Sequence, residues 1–495
     1  MASLEELRQA RLAKLEAIRK AGMDPYPARV PRDMSLGDAR SAFGDYEEGK
    51  GGKHDGKNVS LSGRVMAIRG QGAILFVVLD DGTAKFQSVV KKDALDEKSF
   101  KLLTDTVDVG DLISVTGPLF KTQKGEESLL VHSWAMAAKS LQPLPEKWHG
   151  LVDPDERLRK RYLDFIMSPE ERDLFYKKAK FWDVTRSFMK DRGFLEVETP
   201  TLEVTTGGAE ARPFKTHHND FDLDVFMRIS VGELWQKRLM AAGFPKTFEI
   251  GRVYRNEGTS PEHAQEFTNM EFYWAYADYE DGMKLVTELY RKVAEEVFGT
   301  TRFTYRDMTF DLADEWKRVD YAAEIQRQTG VDIGTATDKE IADKLDELKV
   351  SYKGSNRERL TDTLWKHCRK SIAGPAFLTN HPVLVAPLAK SVKGKDGMPQ
   401  PTVQMFQPII AGSEVGRGYS ELNDPVDQAR RFDEQEKLLK SGDDEAMMPD
   451  REFVEMLEHG MPPACGWGHG ERLFAILANR PLREVQFFPL MRPKR

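Results

Sequence analysis

One stretch of this chain constrains the fold more than any other. It reads FEIGRVYRNEGTSPEHAQEFTNMEFYWAYADY and covers residues 248–279. Its two ends have the composition of strands and its middle is rich in turn-forming residues, which predicts a long hairpin. On the second strand, the two-residue period of β-structure places Phe267, Asn269, Glu271 and Tyr273 on one face. The residues between them can supply a core.

The strand face that carries Glu271 poses an electrostatic question. A buried, ionised carboxylate between two aromatic rings is costly unless a cation or hydrogen-bond donors meet it. A cationic ligand would supply the partner, and so would a structural ion pair with a local arginine; spacing alone leaves both open. The same pattern recurs in SEVGRGYSELNDP, residues 413–425, where Arg417, Tyr419 and Glu421 share one face of a glycine-rich strand.

The segment GWGHGERLFAIL, residues 466–477, has glycine at alternate positions and then an arginine. It lacks the Lys-Ser/Thr pair of a phosphate loop and the spacing of a dinucleotide fingerprint. As a strand that enters a helix at Gly470, it offers one bare face to a flat ligand. Arg472 then lies in the first helical turn, where phosphate is favoured. Close packing of strand and helix explains the glycines equally well.

Composition limits the class of protein. The 495 residues predict roughly two to four domains. Because 40% of residues are hydrophobic and no apolar run approaches the ~20 residues that span a bilayer, we predict a globular protein without a membrane segment. The amino terminus resembles neither a signal nor a transit peptide, which predicts a cytoplasmic location. Cys368 and Cys465 are isolated, so neither a disulfide framework nor a CxxC metal site is expected.

The predicted secondary structure changes along the chain. Residues 1–57 are predicted to form a helical extension. Residues 58–142 contain short strands and one helix, which suggests a small Greek-key barrel such as the oligonucleotide-binding (OB) fold. A polar, proline-containing linker is predicted over 143–168. Residues 169–495 mix long helices and strands in an α+β domain, with a mostly helical insert at about 315–400.

Three segments together resemble the signature motifs of class II aminoacyl-tRNA synthetases, in their usual order. They are RGFLEVETP, which ends at Pro200, VYRNEG, which contains Arg255, and GWGHGERL, which contains Arg472. PLPEKWHG, RKRYLDFI, GGAEARPFKTHHN, ELWQKRL, GRGYSELNDPVDQ and FFPLMRPK resemble the bacterial class II lysine–tRNA ligases in particular. The resemblance covers essentially the whole chain. It implies an anticodon-binding OB barrel, a catalytic antiparallel sheet flanked by helices, and a homodimer formed through the motif around Pro200.

The resemblance also implies a reaction. An enzyme of this family activates L-lysine with ATP, in the presence of Mg²⁺, and transfers the lysyl group to the 3′ end of tRNA(Lys). An aspartate– or asparagine–tRNA ligase of the same subclass is the nearest alternative, although three acids at pocket positions argue against an acidic substrate. A catalytically silent RNA-binding paralogue is the alternative from another functional class.

The family's nucleotide-binding roles transfer to matching positions of this sequence. Arg255 would bridge the lysine carboxylate and the α-phosphate of ATP. Phe267 would stack on adenine, and Arg472 would stack on its other side and hold the γ-phosphate. Glu257 and His263 would lie along the nucleotide. Arginine suits these roles because its planar, charged group can stack and can make paired hydrogen bonds to oxyanions.

The resemblance implies two further sets of binding residues. The positions that match the lysine pocket are Gly208, Ala209, Glu233, Glu271, Tyr273, Tyr419 and Glu421. In the barrel, Arg64, Phe76 and Gln87 match positions that read the anticodon, where an aromatic ring stacks on a splayed base. The alternative for Phe76 is a place in the barrel core.

The sequence departs from the family pattern at several positions. The third motif is one residue shorter before Arg472, and one extra residue lies between Arg228 and Glu233. Gln407 stands where the family has a metal-ligating glutamate, and Arg417 replaces an asparagine beside the lysine site.

Glu414 remains at a position that implies contact with ATP and Mg²⁺. Along a regular strand, Glu414 and Glu421 would point to opposite faces. Both can face one site only if a bulge intervenes near Gly416 or Gly418.

Overall fold

The fold was analysed in a computed structural model of the chain. The structure describes residues 3–145, 151, 153–209, 211–258, 260–352, 356–394, 398–442 and 446–494. The chain divides into two compact units, Met1–Pro169 and Glu170–Arg495.

The first unit combines six helices with seven strands among its described residues. The helices are α1 (Leu4–Lys20), α2 (Leu36–Ser41), α3 (Phe43–Tyr46), α4 (Glu97–Thr106), α5 (Pro154–Arg159) and α6 (Arg161–Met167). The strands are β1 (Val59–Gln71), β2 (Ile74–Asp80), β3 (Lys85–Lys91), β4 (Leu112–Gly117), β5 (Leu119–Lys121), β6 (Glu127–Leu130) and β7 (Ser133–Ala138).

The seven strands form one sheet in the order β5-β6-β3-β2-β1-β4-β7. All neighbouring pairs are antiparallel except β3 and β6. The alternation in β2 buries Val77 and Leu79 in the core of this unit, while Phe76 is half-buried and is not a member of that core. The single helix α4 lies between β3 and β4, as the sequence predicts.

The stretch predicted as a linker, 143–168, is not free of regular structure. It contains α5 and α6, and the side chain of Asp153 accepts a hydrogen bond at the start of α5, which has proline in its first turn. Aspartate followed by proline is a helix-start signal, so the sequence itself indicates a helix within this stretch.

The second unit is larger and mixes both kinds of element. Its helices are α7 (Pro169–Asp191), α8 (Glu233–Ala241), α9 (Tyr279–Val293), α10 (Tyr321–Thr329), α11 (Asp338–Glu347), α12 (Arg357–Cys368), α13 (Pro425–Lys440), α14 (Arg451–Glu458) and α15 (Arg472–Leu477). A π-helical turn covers Ala294–Phe298, and short 3₁₀ turns cover Arg369–Ser371, Val383–Val385 and Leu482–Val485.

Its strands belong mostly to one large sheet. They are β8 (Leu195–Glu196), β9 (Leu202–Glu203), β10 (Lys215–His218), β11 (Leu223–Met227), β12 (Lys246–Tyr254), β13 (Glu266–Ala275), β14 (Arg302–Tyr305), β15 (Met308–Asp311), β16 (Lys317–Asp320), β17 (Ala376–Thr379), β18 (Ser391–Lys393), β19 (Pro399–Val403), β20 (Met405–Ile410), β21 (Ser413–Glu414), β22 (Arg417–Ser420) and β23 (Ala464–Gly470).

The large sheet has nine strands in the order β16-β17-β20-β22-β23-β13-β12-β8, with β21 paired to β20. It is antiparallel except at its two ends, where β16 runs parallel to β17 and β8 runs parallel to β12. The predicted hairpin is present as β12 and β13, which pair in register from Lys246 and Trp274 to Tyr254 and Glu266.

One face of this sheet packs against helices. Phe272 of β13 and Trp467 of β23 are buried together, with ring centroids 5.7 Å apart, and Tyr290 of α9 covers Trp467 at 5.8 Å. The helix α9 begins at a capping box formed by Asp278 and Asp281. Because alternate residues point to opposite faces, this packing leaves Asn269, Glu271 and Tyr273 on the other face, which is the alternation that the sequence predicts.

The predicted insert, about 315–400, is only partly helical. Helices α10, α11 and α12 share a core that includes Ile325, Ile341 and Leu364. Two strands that flank these helices, β16 and β17, are instead part of the large sheet. Both are four residues long, and strands this short carry little periodic signal in a sequence.

Candidate active site

A cavity of about 550 Å³ opens on the sheet face opposite the helix-packed core. The residues predicted for the amino-acid and nucleotide sites all line it: Gly208, Ala209, Glu233, Arg255, Glu257, His263, Phe267, Glu271, Tyr273, Glu414, Tyr419, Glu421 and Arg472. The structure therefore brings together residues that are up to 264 positions apart in the sequence, from Gly208 to Arg472.

The alternate glycines of β23 form part of the cavity floor, and they allow close lateral approach of neighbouring side chains. A Cβ atom on Gly466 would lie 2.1 Å from Oε1 of Glu421 and 2.5 Å from the ring of Tyr273. A Cβ atom on Gly468 would lie 2.6 Å from Cγ of Glu271. Such distances are far below van der Waals contact, so both positions need glycine. This lateral packing was not among the explanations that the sequence suggested.

Three carboxylates are buried at one end of the cavity, which we call the acid end: Glu233, Glu271 and Glu421. The sequence leaves a cationic ligand or an arginine open as the partner of such acids. For Glu233 and Glu421 the structure shows a lysine instead. The ammonium of Lys237, itself buried, lies 2.7 Å from Oε1 of Glu233 and 2.5 Å from Oε2 of Glu421. The Tyr419 hydroxyl also donates to Glu233.

Within the described residues Glu271 forms no ion pair, and it is held by hydrogen bonds and by the longer-range attraction of Arg255. Its Oε1 accepts from the backbone N–H of Val231 at 2.7 Å and from the amide of Asn269 at 2.9 Å, and its Oε2 accepts from the Tyr273 hydroxyl at 3.1 Å. Burial, with the nearby charge of Glu233, raises the pKa of the Glu271 carboxyl to about 7. Near neutral pH this carboxylate is therefore readily protonated unless a bound cation stabilises its charged form.

The acid end has a charge imbalance. Three carboxylates and one ammonium together have two more negative than positive charges when all four groups are ionised, and Arg255 attracts Glu271 only at longer range. Burial also raises the pKa of Glu421, even against the attraction of Lys237. Its Oε1 is buried and has no hydrogen-bond partner among the described residues. This end of the cavity can accept further positive charge.

The backbone beside the acid end accommodates the inserted residue of this sequence. Gly232, with φ of +66°, lies immediately before α8 and adopts the left-handed conformation that glycine tolerates best. Glu233 then begins the helix and still lines the cavity. Gly208 packs so closely on Glu233 that an added Cβ would lie 2.6 Å from the Glu233 Cβ.

Arg255 and Arg472 line another part of the cavity, which we call the arginine end. Arg255 follows β12, and its guanidinium carbon lies 5.3 Å from the ring centroid of Phe267. Arg472, the first residue of α15, donates from Nη1 to the backbone oxygen of Glu414 at 2.9 Å. The shortened third motif therefore still brings Arg472 into the cavity. Burial lowers the pKa of both guanidiniums, which remain charged because arginine ordinarily ionises far above neutral pH.

The predicted bulge is present between β21 and β22. Glu414 pairs with Ile409, whereas Tyr419 pairs with Met405, so this side of the ladder contains one residue more than β20. The extra residue falls at the break between the two strands, next to Gly416. Both Glu414 and Glu421 therefore line the cavity despite their opposite parity.

The described residues do not form a metal site of their own. Within the described ranges, no group of three or more histidine, cysteine, aspartate or glutamate side chains could hold a metal ion. Oε1 of Glu414 accepts a hydrogen bond from the indole N–H of Trp365 at 2.7 Å, and Gln407 is uncharged. These residues could hold a Mg²⁺ ion only together with a phosphate ligand. Glu414 would then supply one carboxylate to the ion.

The site predicted from the sequence lacks Lys237, which contacts two of the buried carboxylates, and three residues that line the cavity. Lys237 could have been found, because it follows Glu233 by four positions in ELWQKRL and such pairs meet on one face of a helix. His381, Trp365 and Arg369 also line the cavity from the region of the insert. No periodicity or motif placed them there.

The three residues predicted to read an anticodon lie in the first unit on one face of its sheet. Arg64 of β1 pairs with Asp80 of β2, and Gln87 of β3 pairs with Val78, so both share the face of Phe76. Gln87 donates to Ser128 at 2.8 Å. This face points away from the core, so the alternative that Phe76 is a core residue is not supported.

Among the described helices, none is both long and apolar enough to cross a membrane.

Comparison with known proteins agrees with the geometry of both units. Residues 153–492 match the class II tRNA synthetases (D, K and N), and residues 59–143 match the OB-fold nucleic acid binding domain. A lysine–tRNA ligase of Roseiflexus sp. (strain RS-1) is 42% identical to the chain over 497 residues, which cover 99% of each protein.

Two further relatives have a similar identity to this chain. Lysine–tRNA ligases of Thermotoga sp. (strain RQ2) and of Halalkalibacterium halodurans are each 41% identical and align with 99% of this chain. The alignments cover 97% and 98% of those two proteins. The chain therefore belongs to the class II tRNA synthetases and, within them, to the lysine–tRNA ligases.

Proposed function

We propose that this protein joins L-lysine to tRNA(Lys) at the expense of ATP, through a lysyl-adenylate. The charge imbalance of the acid end is the observation that carries this proposal. Free lysine has two ammonium groups, which match the two uncompensated negative charges, and one carboxylate, which suits the arginine end. Aspartate and asparagine have only one ammonium group each, and aspartate would add a further negative charge.

In the proposed complex, lysine lies along the cavity. Glu233, Glu271 and Glu421 receive the two ammonium groups, and the aromatic rings of Tyr273 and Tyr419 enclose the aliphatic chain. An apolar side chain of equal length would leave these carboxylates buried and unpaired, which explains a preference for lysine. The backbone at Gly208 and Ala209 completes the pocket.

The chemistry needs no nucleophilic side chain. A carboxylate oxygen of lysine attacks the α-phosphorus of ATP in line, the new O–P bond forms, and pyrophosphate leaves. The terminal ribose hydroxyl of the tRNA then attacks the carbonyl carbon, and AMP leaves. Positioning and positive charge against the phosphates account for the rate.

The nucleotide-binding residues take distinct parts in this scheme. Arg255 neutralises the lysine carboxylate and the α-phosphate where they meet. Phe267 and Arg472 enclose adenine from its two sides, and Arg472 also holds the γ-phosphate. Glu257 and His263 lie along the nucleotide. All five residues line the same cavity, which supports these assignments.

We propose that Mg²⁺ enters with ATP and that Glu414 is its protein ligand. A magnesium ion in such sites is often held by one or two carboxylates together with substrate phosphates. When bound, it would neutralise phosphate charge, while the arginines described above orient the nucleotide.

We propose that the first unit reads the anticodon through Arg64, Phe76 and Gln87, with Phe76 stacking on a base. We further propose a cytoplasmic homodimer formed around Pro200. Leu195, Leu202 and Val204 near Pro200 expose half or more of their surface, which supports an apolar contact there.

The proposed activity predicts lysine-dependent exchange of labelled pyrophosphate into ATP. We expect exchange with lysine and none with aspartate or asparagine, because the acid end needs two ammonium groups. Exchange that depends on aspartate would redirect the assignment. A protein that exchanges with no amino acid yet binds tRNA would be the silent paralogue.

Replacing Glu271 with glutamine tests the acid end. We expect Glu271→Gln to raise the KM for lysine in the exchange assay about tenfold or more, since a charged partner of the substrate is lost. Glu266→Gln is the matched control on the same strand, because Glu266 is partly exposed and pairs with Arg252. An unchanged KM for lysine in Glu271→Gln would mean that the pocket is misassigned.

The raised pKa of Glu271 predicts a pH dependence of lysine binding. Below its pKa of about 7 this carboxyl is protonated and neutral, and above it the carboxylate attracts ammonium groups. Between pH 6 and 8, such a group goes from about one-tenth to nine-tenths ionised, so we expect the KM for lysine to fall about tenfold. The KM for ATP is the control, and a KM for lysine that is flat over this range would contradict the prediction.

Phe76→Ala separates the two units functionally. We expect this variant to charge tRNA(Lys) at least about fivefold more slowly while its pyrophosphate exchange stays normal, because the loss of a stacked base costs about 1–3 kcal/mol. The control is Ile74→Ala on the same strand, where the side chain is exposed on the same face. Equal loss of both activities in Phe76→Ala would argue against an anticodon role.

A further inference from the structure

A second polar cluster lines the cavity and takes no part in the reaction scheme above. It consists of His381, Gln407 and Arg417, and we call it the amide–guanidinium cluster. The three residues come from neighbouring strands of the large sheet: His381 follows β17, Gln407 lies in β20 and Arg417 begins β22.

The strand pairing places these side chains side by side. Met405 pairs with Tyr419 and Phe406 with Gly418. One step further along this antiparallel ladder brings Gln407 next to Arg417. Nε2 of His381 lies 2.8 Å from Oε1 of Gln407, which joins the third member to the cluster.

The hydrogen bond between His381 and Gln407 fixes the orientation of the glutamine amide. With the amide oxygen of Gln407 toward the ring, this contact requires the tautomer in which Nε2 of His381 carries the proton, because an amide oxygen can only accept. Burial lowers the pKa of His381 to about 3, so the ring is neutral and this N–H is its only donor. The NH₂ group of Gln407 therefore points away from the histidine, and it has no hydrogen-bond partner among the described residues.

Arg417 also has unused donors. Its Nη2 donates to the backbone oxygen of Val385 at 2.7 Å, which anchors the guanidinium. Its Nε is buried and without a partner in the part of the chain that the structure describes, and no carboxylate within the described ranges forms an ion pair with it. A buried donor that makes no hydrogen bond is unfavourable, and a ligand oxygen that accepted from it would remove this cost.

The cluster has one positive charge and no acid, in contrast to the acid end. Arg417 lies opposite Gly468, the glycine over which Glu271 packs, and its charge acts on Arg255. The cluster is thus located between the carboxylates of the acid end and the arginines that would hold the nucleotide. In the proposed function, this is where the lysine carboxylate and the phosphates meet.

We propose that the amide–guanidinium cluster is an oxyanion subsite, in which Gln407 and Arg417 donate directly to a substrate oxyanion with no metal ion between them. The oxyanion is the carboxylate of the amino acid or a phosphate group of ATP. His381 is a positioning residue, because it acts by turning the amide of Gln407 toward the substrate. This inference rests on the proposed function.

Two variants test the subsite through the pyrophosphate exchange assay. Arg417→Asn removes the guanidinium, and Gln407→Glu removes the NH₂ donor and places a carboxylate beside Arg417. We expect both to raise the KM for the same substrate about tenfold or more and to change the KM for the other substrate less than twofold. A rise in the KM for lysine identifies the carboxylate as the ligand, and a rise in the KM for ATP identifies a phosphate.

Further variants separate positioning from structural damage. His381→Phe should raise the same KM as Arg417→Asn, and His381→Asn, which keeps a donor, should restore part of the loss. Arg327→Asn is the control, since Arg327 is exposed on α10 and does not line the cavity. Thermal unfolding of each variant accompanies the kinetics.

Two results would overturn the subsite. One is unchanged KM values for both substrates in Arg417→Asn and Gln407→Glu. The other is a fall in kcat alone, accompanied by a lower unfolding temperature, which would make the cluster structural. Both results presuppose lysine-dependent exchange by the wild-type protein, so the failure of that exchange would reject the proposed function and is distinguishable from the failure of the subsite.

Discussion

The burial of three carboxylates side by side is the constraint on which the rest of the second unit depends. Charged groups in a protein interior need partners, and here one lysine ammonium, two tyrosine hydroxyls, one asparagine amide and one backbone N–H supply only part of what Glu233, Glu271 and Glu421 require. Every element around the acid end contributes to this arrangement. The helix α8 presents Glu233 and Lys237 one turn apart, and the glycines of β23 let the other two carboxylates approach from the adjacent strands.

Much of this site could be predicted from the sequence because strands have an exact two-residue period. The alternation in FTNMEFYW correctly separated Glu271 and Tyr273 from Phe272, which the structure buries in the core. The opposite parity of Glu414 and Glu421 likewise predicts a bulge, and the structure contains it. Where a residue's neighbours along the chain determine its direction, the pattern is sufficient.

The rest could not be predicted because it depends on contacts between distant segments. Nothing in the sequence near Glu421 indicates that a lysine from α8 will meet it, and the role of Gly466 becomes clear only when Glu421 and Tyr273 are seen on either side. The strands β16 and β17 could not be predicted, because the region around them has helical periodicity. The predicted linker contains helices, and the predicted helical insert contains strands. The secondary structure of such regions is therefore predicted less well from composition than that of long, periodic elements.

The bulge next to Gly416 has a consequence for how the site could change during evolution. A strand without a bulge ties the direction of every side chain to that of its neighbours, so insertion or loss of one residue would reverse them all. Here the ladder restarts at Arg417, and Glu414 therefore keeps a direction that is independent of Tyr419 and Glu421. A change of length in one half of the strand therefore leaves the direction of the side chains in the other half unchanged.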